Sequence, residues 1–364
     1  MSLNVISNVY RLTAPGTFEA VEVERTVSGN DVVVRPHIVS VCHADLRYYT
    51  GNRRKEALEA KLPMALFHEG IGTVTNSNHP SFKEGDRVVI VPSIPGFVLN
   101  NISKEECCRN CRDGGDDNYC LNGEFLGSGY DGIGQSDLVI SGENLVLVPD
   151  ELEDDTAILA ELCSVSLYAI NRVGKSLTTA NSPKVAVFGD GPVGYLTAAA
   201  LHFVCGIEKE NLLVFGAIED KIAQFESFAT TALVHDYDFK AVEGVNTVFE
   251  CTGGKFSSSA INQSIDLLDY DSNLVLMGVT EDLVPINTRD ILEKGITVKG
   301  SSRSTGKEFR QLMEAFKNPG YREVLSKLIP EEHFIVESPE DMRKAMEHDA
   351  NYRGWIKTYL TLKW

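Results

Sequence analysis

The feature that most constrains the fold is the run Gly189-Asp190-Gly191-Pro192-Val193-Gly194. It completes the apolar strand candidate KVAVFG (184–189) and opens the helix-like run VGYLTAAALHFV. A G-x-G-x-x-G pattern alone says little. Between a strand and a helix it means that the backbone turns tightly and presents a helix N-terminus. Free N–H groups there attract a pyrophosphate, and the glycines let the backbone approach it. Pro192 suits the first helical turn, which has no use for its missing N–H. Five further strand candidates follow at helix-length intervals: 211–216, 232–237, 246–251, 273–278 and 296–301. Short apolar strands joined by crossovers predict a parallel, doubly wound α/β sheet that binds a dinucleotide.

The first half reads differently. Residues 31–42, 70–75 and 85–92 are β-like runs bounded by Gly, Pro and Asn, which predicts an antiparallel, barrel-like domain. Residues 93–130 are Gly- and Cys-rich and are expected to form a loop. The stretch 154–173 has helical spacing, with Asp154 and Asp155 suited to a first turn. The tail from 302 ends in a strand-like run, 356–364. It is too short for a third domain and is expected to return to the first. The expected division is therefore 1–153, completed by 302–364, and 154–301; the length of 364 residues fits two domains.

Charge excludes several classes of function. Lys and Arg number 34 against 52 Asp and Glu, a net charge of −18. Such a chain lacks the basic footprint that nucleic acid or an anionic membrane requires. No run of about 18 apolar residues spans a bilayer. The opening MSLNVISNVYRLTAP has neither the basic start nor the apolar stretch of a secretion signal, so a cytoplasmic location is expected. The 8 cysteines are then expected as thiols, metal ligands or core residues.

The end of the second strand bears on the choice of nucleotide. Enzymes that select NAD place an acid there, on the ribose 2′-hydroxyl. Here the residues are Gly216 and Ala217, so NADP(H) is favoured. Lys221 suits either cofactor, and Glu219 and Asp220 work against a 2′-phosphate.

Three segments hold metal-ligating residue types: Cys42 in VCHAD, His68-Glu69 in ALFHEG and Glu161 in AELCSV. None is informative alone. In this order, ahead of a dinucleotide turn, they make the chain resemble the zinc-dependent medium-chain dehydrogenase/reductase family. Cys42 and Asp45 match that family's Cys-x-x-Asp motif. His68 and Glu69 match its His-Glu motif, and Glu161 matches its third ligand. The resemblance implies a GroES-like β-barrel catalytic domain joined to a Rossmann domain. Zn²⁺ balanced by Cys42 thiolate, neutral His68 and Glu161 carboxylate keeps one open position. Glu69 is then an outer or exchanging ligand, Asp45 orients a ligand, and Cys163 is expected as a packed thiol rather than a substitute ligand. Many relatives relay protons through a Ser or Thr two residues after the first Cys. Ala44 stands there, so Tyr48 or a water on the metal is the candidate donor.

Relatives often hold a second, structural zinc with four closely spaced cysteines. Cys108, Cys111 and Cys120 fit this with one extra residue in the last gap, and Cys107 or Glu105 is the fourth ligand.

Residues 47–55 carry four of the chain's cations. Arg47 and Arg53 are expected on a substrate phosphate, and Arg54 and Lys55 in solvent. The segments NVYRLTAPGTFE, ADLRYYTGNR, KLPMALFHEG, SAINQSIDLLDY, INTRDILEKG and GSSRS resemble the ribitol-5-phosphate 2-dehydrogenase (ribulose-5-phosphate reductase) subgroup of the family. That resemblance implies NADPH-linked reduction of D-ribulose 5-phosphate to D-ribitol 5-phosphate, supplying CDP-ribitol for teichoic acid or capsule, in a homodimer or tetramer. Ser301 and Arg303 are expected at the cofactor or the substrate phosphate. Another zinc polyol or polyol-phosphate dehydrogenase is a second reading. A non-catalytic NADPH-binding protein is a third, disfavoured by the intact Cys42, His68 and Glu161.

Overall fold

Alternating burial over the first residues produces a hairpin, Leu3–Ala14 against Thr17–Val27, in a computed structural model that describes residues 3–174, 177, 184–241, 244–280, 282–352 and 354–364. Gly16, at φ +75°, makes the turn. Both guanidiniums that the hairpin points at its neighbour converge on one carboxylate. Arg11 and Arg25 reach Asp131 at 2.6 and 2.8 Å, and Asp131 also accepts the Ala65 N–H at 2.9 Å.

The chain divides into two compact units. The first comprises residues 1–161, 304–317 and 326–364. Its central strand, Asp31–Ser40, pairs antiparallel with Glu69–Ser77, Leu138–Ser141 and Tyr359–Leu362. Arg87–Ile90 and Leu145–Leu147 extend the sheet on one side, and Phe334–Val336 lies parallel to Tyr359–Leu362 on the other. Inside sit Val32, Val34, Val39, Leu66, Phe67, Val74, Ile90, Ile133 and Leu360, all essentially without exposure. Each such side chain contributes about 1.5–3 kcal/mol by leaving water. The C-terminal strand thus completes the sheet that the N-terminal half begins.

The second unit comprises 162–303 and 318–325. Its six parallel strands are Lys184–Phe188, Leu212–Gly216, Thr230–Leu233, Val245–Glu250, Asn273–Leu276 and Thr297–Gly300. Numbered along the chain, they lie in the order 3-2-1-4-5-6. The helices Pro192–Phe203 and Ser257–Leu267 cross between them.

Three expectations differ from what the chain does. The third strand ends at Leu233, not at 237; Tyr237 packs its ring on Phe215 at 4.7 Å, so its apolar character serves an aromatic cluster. The stretch 154–173 forms two helices, Asp154–Ala157 and Ala160–Asn171. Asp154 is held by His37 at 2.8 Å and by Arg87, and the first helix closes on a tight Leu159 N–H to Thr156 bond. Residues 93–130 are not one irregular loop: Ser93–Ile94 pairs with Glu124–Phe125, and Gly96–Leu99 and Arg109–Arg112 are single helical turns. No helix among the described residues is long and apolar enough to cross a membrane.

Burial works against ionising Asp131, but Arg11, the Ala65 N–H and Arg25 outweigh it and hold the carboxyl below its ordinary 3.8. A depressed carboxyl stabilises the fold above the unfolded-state value and loses that contribution as pH falls through the folded-state value. Asp131→Asn is therefore expected to cost roughly 1–3 kcal/mol in urea unfolding at pH 7, with the difference from wild type shrinking below about pH 4.

Candidate metal centre and cofactor turn

Cys42 leads into the helix His43–Tyr49, and His68 immediately precedes the strand Glu69–Ser77. What brings them together is Asp45. One of its oxygens accepts the Cys42 N–H at 3.0 Å. The other accepts the Phe67 N–H at 3.1 Å and lies 3.6 Å from His68 Nδ1. Asp45 is fully buried. Phe67 takes the left-handed conformation, φ +74°, which costs a bulky residue of order 1–3 kcal/mol. Its N–H is bound by Asp45 and its carbonyl by the Ile133 N–H at 2.9 Å, so both peptide groups are fixed where the strain lies.

The ligating atoms of Cys42, His68 and Glu69 lie within 4.8 Å of one another. Glu161 stands outside that set, buried, within range of the charges on His68, Glu69, Lys357 and Asp45. Lys357 is a residue that sequence reasoning missed. Its ammonium meets Glu69 at 3.0 Å and donates to the Val41 carbonyl at 2.7 Å. Only the return of the C-terminal strand beside Asp31–Ser40 hinted that the tail reaches this site.

The electrostatics are those of an unbalanced buried cluster. Burial raises the Cys42 thiol and the Asp45 carboxyl above their ordinary values. It pushes Glu161 up to about 7. Burial opposes a charged His68, yet Asp45 and Cys42 raise it well above 6.5. Burial likewise opposes the Lys357 ammonium, but Glu69 and Cys42 raise it to about 12. Three buried carboxyls and a thiol thus face only Lys357 once His68 gives up its proton to act as a ligand. A divalent cation restores that balance, and a set of one sulfur, one imidazole nitrogen and a carboxylate oxygen suits zinc.

Cys107, Cys108, Cys111 and Cys120 bring their sulfurs within 4.8 Å of one another. Cys107 rather than Glu105 makes the fourth member. The N–H groups of Leu121 and Gly96 point at Cys108 and Cys120 sulfur at 3.3 and 3.2 Å. Backbone N–H groups, that of Cys111 foremost, lower the Cys108 thiol to about 6. Four thiols this close match the donor set of a structural zinc. A cavity of about 470 Å³ beside this loop, lined by Phe97, Lys104, Asn118, Lys307 and Arg310, includes none of the four. Cys163 is fully buried and meets the Tyr321 hydroxyl.

In the nucleotide unit Gly189 sits at φ +131°, open only to glycine. A Cβ on Gly194 would meet the Gly189 carbonyl at 2.0 Å, so close helix–strand packing needs a glycine there too. Gly191 faces open space at the helix N-terminus, and Pro192 and Val193 begin the helix. Gly216 departs from its expected meaning. A Cβ there would meet Ile222 at 2.2 Å, so no side chain of either sign fits without movement. A carboxylate reaches the strand end all the same: Asp190 accepts the N–H groups of Ala217 and Ile218 at 2.8 and 2.9 Å. Lys221 is half-buried on the helix that follows. Ser301 is buried, and Arg303, exposed, takes φ +60°.

Arg47 and Arg53 are half-buried, and Arg53 lies over the Tyr48 ring with its guanidinium carbon 4.5 Å from the centroid. Arg54 and Lys55 are exposed.

Known proteins share this layout. Residues 28–150 match the alcohol dehydrogenase GroES-like domain, and 193–318 match the zinc-binding dehydrogenase model. The chain is 35% identical over 99% of both lengths to ribulose-5-phosphate reductase 1 of Staphylococcus aureus. It is 35% identical to a ribulose-5-phosphate reductase of Bacillus spizizenii, over 98% of this chain and 99% of that one. The crystal structure of S. aureus TarJ in complex with NADPH superimposes with a TM-score of 0.81 at 32% identity, covering 99% of this chain and all of that one.

The chain belongs to the zinc-binding dehydrogenase family.

The first unit is accordingly GroES-like and the second Rossmann-like. In this zinc-binding dehydrogenase the metal-ligand candidates come from separate segments, and Asp45 is the group that spans two of them. Residues that orient ligands from behind commonly change metal affinity 10–100-fold when replaced. Asp45→Asn keeps the shape but loses the charge facing His68. Its zinc affinity in a competition titration with a chelating dye is expected to fall by about 10–100-fold, while the unfolding midpoint of the nucleotide unit stays near that of wild type.

Proposed function

We propose that the chain reduces D-ribulose 5-phosphate to D-ribitol 5-phosphate with NADPH, at a zinc held by Cys42, His68 and Glu161. The observation that carries this reading is the full-length likeness to ribulose-5-phosphate reductases from two organisms. The buried donor cluster and the cations around Tyr48 supply the matching chemistry.

The chemistry that zinc supplies at such a donor set is Lewis-acid polarisation of a carbonyl oxygen, and NADPH supplies the hydride. Cys42 and His68 are fixed by Asp45. Lys357 neutralises Glu69 and holds it as an outer or exchanging ligand, which leaves a position open for substrate. Arg47 and Arg53 take the substrate phosphate. Gly189, Gly191, Pro192, Val193 and Gly194 receive the pyrophosphate at the helix N-terminus. Gly216 and Lys221, at the end of the second strand and on the helix after it, would line the cofactor, and Ser301 and Arg303 would meet the cofactor or the substrate phosphate. Cys107, Cys108, Cys111 and Cys120 hold a second zinc that braces their loop. The enzyme works in the cytoplasm as a homo-oligomer, and its polyol phosphate is the precursor of CDP-ribitol for teichoic acid or capsule.

A spectrophotometric assay of NADPH oxidation over phosphorylated and free ketoses tests the reading. Ribulose 5-phosphate is expected to exceed ribulose in kcat/KM. Arg47→Ala is expected to raise KM for ribulose 5-phosphate by about 10-fold, the worth of one charge-assisted contact, and to leave KM for ribulose nearly unchanged. Equal effects on both ketoses contradict the phosphate assignment. Comparable rates with sorbitol-type ketoses contradict the substrate.

A further inference from the structure

We propose that Tyr48 gives the substrate oxygen its proton, and that Ser128 and Lys61 form the line that restores it, with Lys61 acting as a positioning residue through Ser128. This rests on the reading above.

The line is built into the segments that carry the metal-ligand candidates. Tyr48 lies on the helix His43–Tyr49, which starts at Cys42. Its hydroxyl is 3.1 Å from Ser128 Oγ, and Lys61 Nζ is 2.8 Å from the same oxygen. Ser128 follows Phe125, whose ring lies 5.3 Å from the His68 imidazole. Between them, a Cβ on Gly127 would touch the Phe67 backbone at 3.1 Å. One end of the line thus lies on the helix that Cys42 begins, and its middle lies three residues beyond the Phe125 ring that packs on His68.

An ammonium only donates, so Lys61 donates to Ser128 Oγ, which keeps a second lone pair and its own O–H for Tyr48. The Ser128–Tyr48 bond can run either way, and the proposed step uses the arrangement in which Ser128 donates and the Tyr48 O–H turns to the substrate oxygen. Ala44, where many relatives have a hydroxyl, offers no competing route.

The charges around the ring all favour the phenolate. The Arg53 guanidinium lies 4.5 Å and the Lys61 ammonium 5.9 Å from its centroid, and Arg47 adds a third cation. Among the described residues no carboxylate lies within ion-pair distance of Arg53 or Lys61. Burial raises the phenol, but the bonds with Ser128 and Lys61 and the charges of Lys61 and Arg53 outweigh it, and Tyr48 ionises below its ordinary 10.

The step balances. Hydride adds to the carbonyl carbon, the π pair moves to oxygen, and that oxygen takes the Tyr48 proton. The phenolate takes the Ser128 proton as Ser128 takes one from Lys61. The half-exposed Lys61 amine then regains a proton from water.

Two measurements test this. Phenolate absorbance of wild type minus that of Tyr48→Phe, followed against pH, reports Tyr48 without any turnover. Its midpoint is expected below about 10 and about one pH unit higher in Lys61→Met, with Lys61→Arg close to wild type. In polyol-phosphate oxidation, which needs the phenolate, the acid limb of kcat/KM is expected to move upward by the same amount in Lys61→Met. Tyr48→Phe is expected to lose about 10²–10⁴-fold in kcat. Ser128→Ala is expected to shift the limb as Lys61→Met does, and serves if Lys61→Met does not fold. An unmoved midpoint and limb, with only KM raised, overturns the proposal and makes Lys61 a phosphate contact. A wild type that turns over no pentose phosphate sinks the substrate reading instead, while the absorbance midpoint still decides the Tyr48–Lys61 coupling.

Discussion

The site depends on one buried carboxylate. Asp45 accepts a backbone N–H from the Cys42 segment and another from the Phe67 segment, and it faces His68. A buried charge is costly unless it is hydrogen-bonded. Here the compensation itself does the positioning, because the groups that satisfy Asp45 belong to the two segments that must meet. The positive φ of Phe67 follows from the same demand: the chain bends there to present its N–H inward while His68 turns to the ligand cluster. The strained residue and the buried acid are two aspects of one constraint.

Charge placement follows a similar logic. A chain of net charge −18 that is to hold an anion has to concentrate its cations. It does so around Tyr48, where Arg53 and Lys61 approach the ring with no carboxylate in ion-pair distance among the described residues. At the metal-ligand cluster the opposite holds, with three buried carboxyls and a thiol around Lys357. The first arrangement suits an anion and the second a cation.

The parallel sheet was legible because strands buried on both faces read as continuous apolar runs, and the glycine turn because φ +131° at Gly189 and the tight approach at Gly194 admit no other residue. The N-terminal hairpin was not legible, since Thr17–Val27 is largely exposed and carries little apolar alternation. Motif order pointed to Cys42, His68, Glu69 and Glu161. It did not reveal that Lys357, 288 residues from Glu69, neutralises it, because that contact depends on the final strand returning to the first sheet. Gly216 shows the limit of reading an absence. The missing carboxylate reflects a lack of room, and Asp190 brings one to the same turn from the glycine motif. Ser128 and Lys61 carried no motif, and only the fold sets them beside Tyr48.

The most direct test of the two-cluster account is zinc per chain, measured by elemental analysis on the purified enzyme and on two variants alongside NADPH-linked turnover. The account predicts two zinc ions in the native chain and one in each of Cys42→Ser and Cys108→Ser, with turnover abolished in the first and retained in the second wherever it folds. A native chain with a single zinc that survives in Cys108→Ser contradicts the cysteine cluster as a metal site. Full turnover by Cys42→Ser contradicts the catalytic centre built on Asp45.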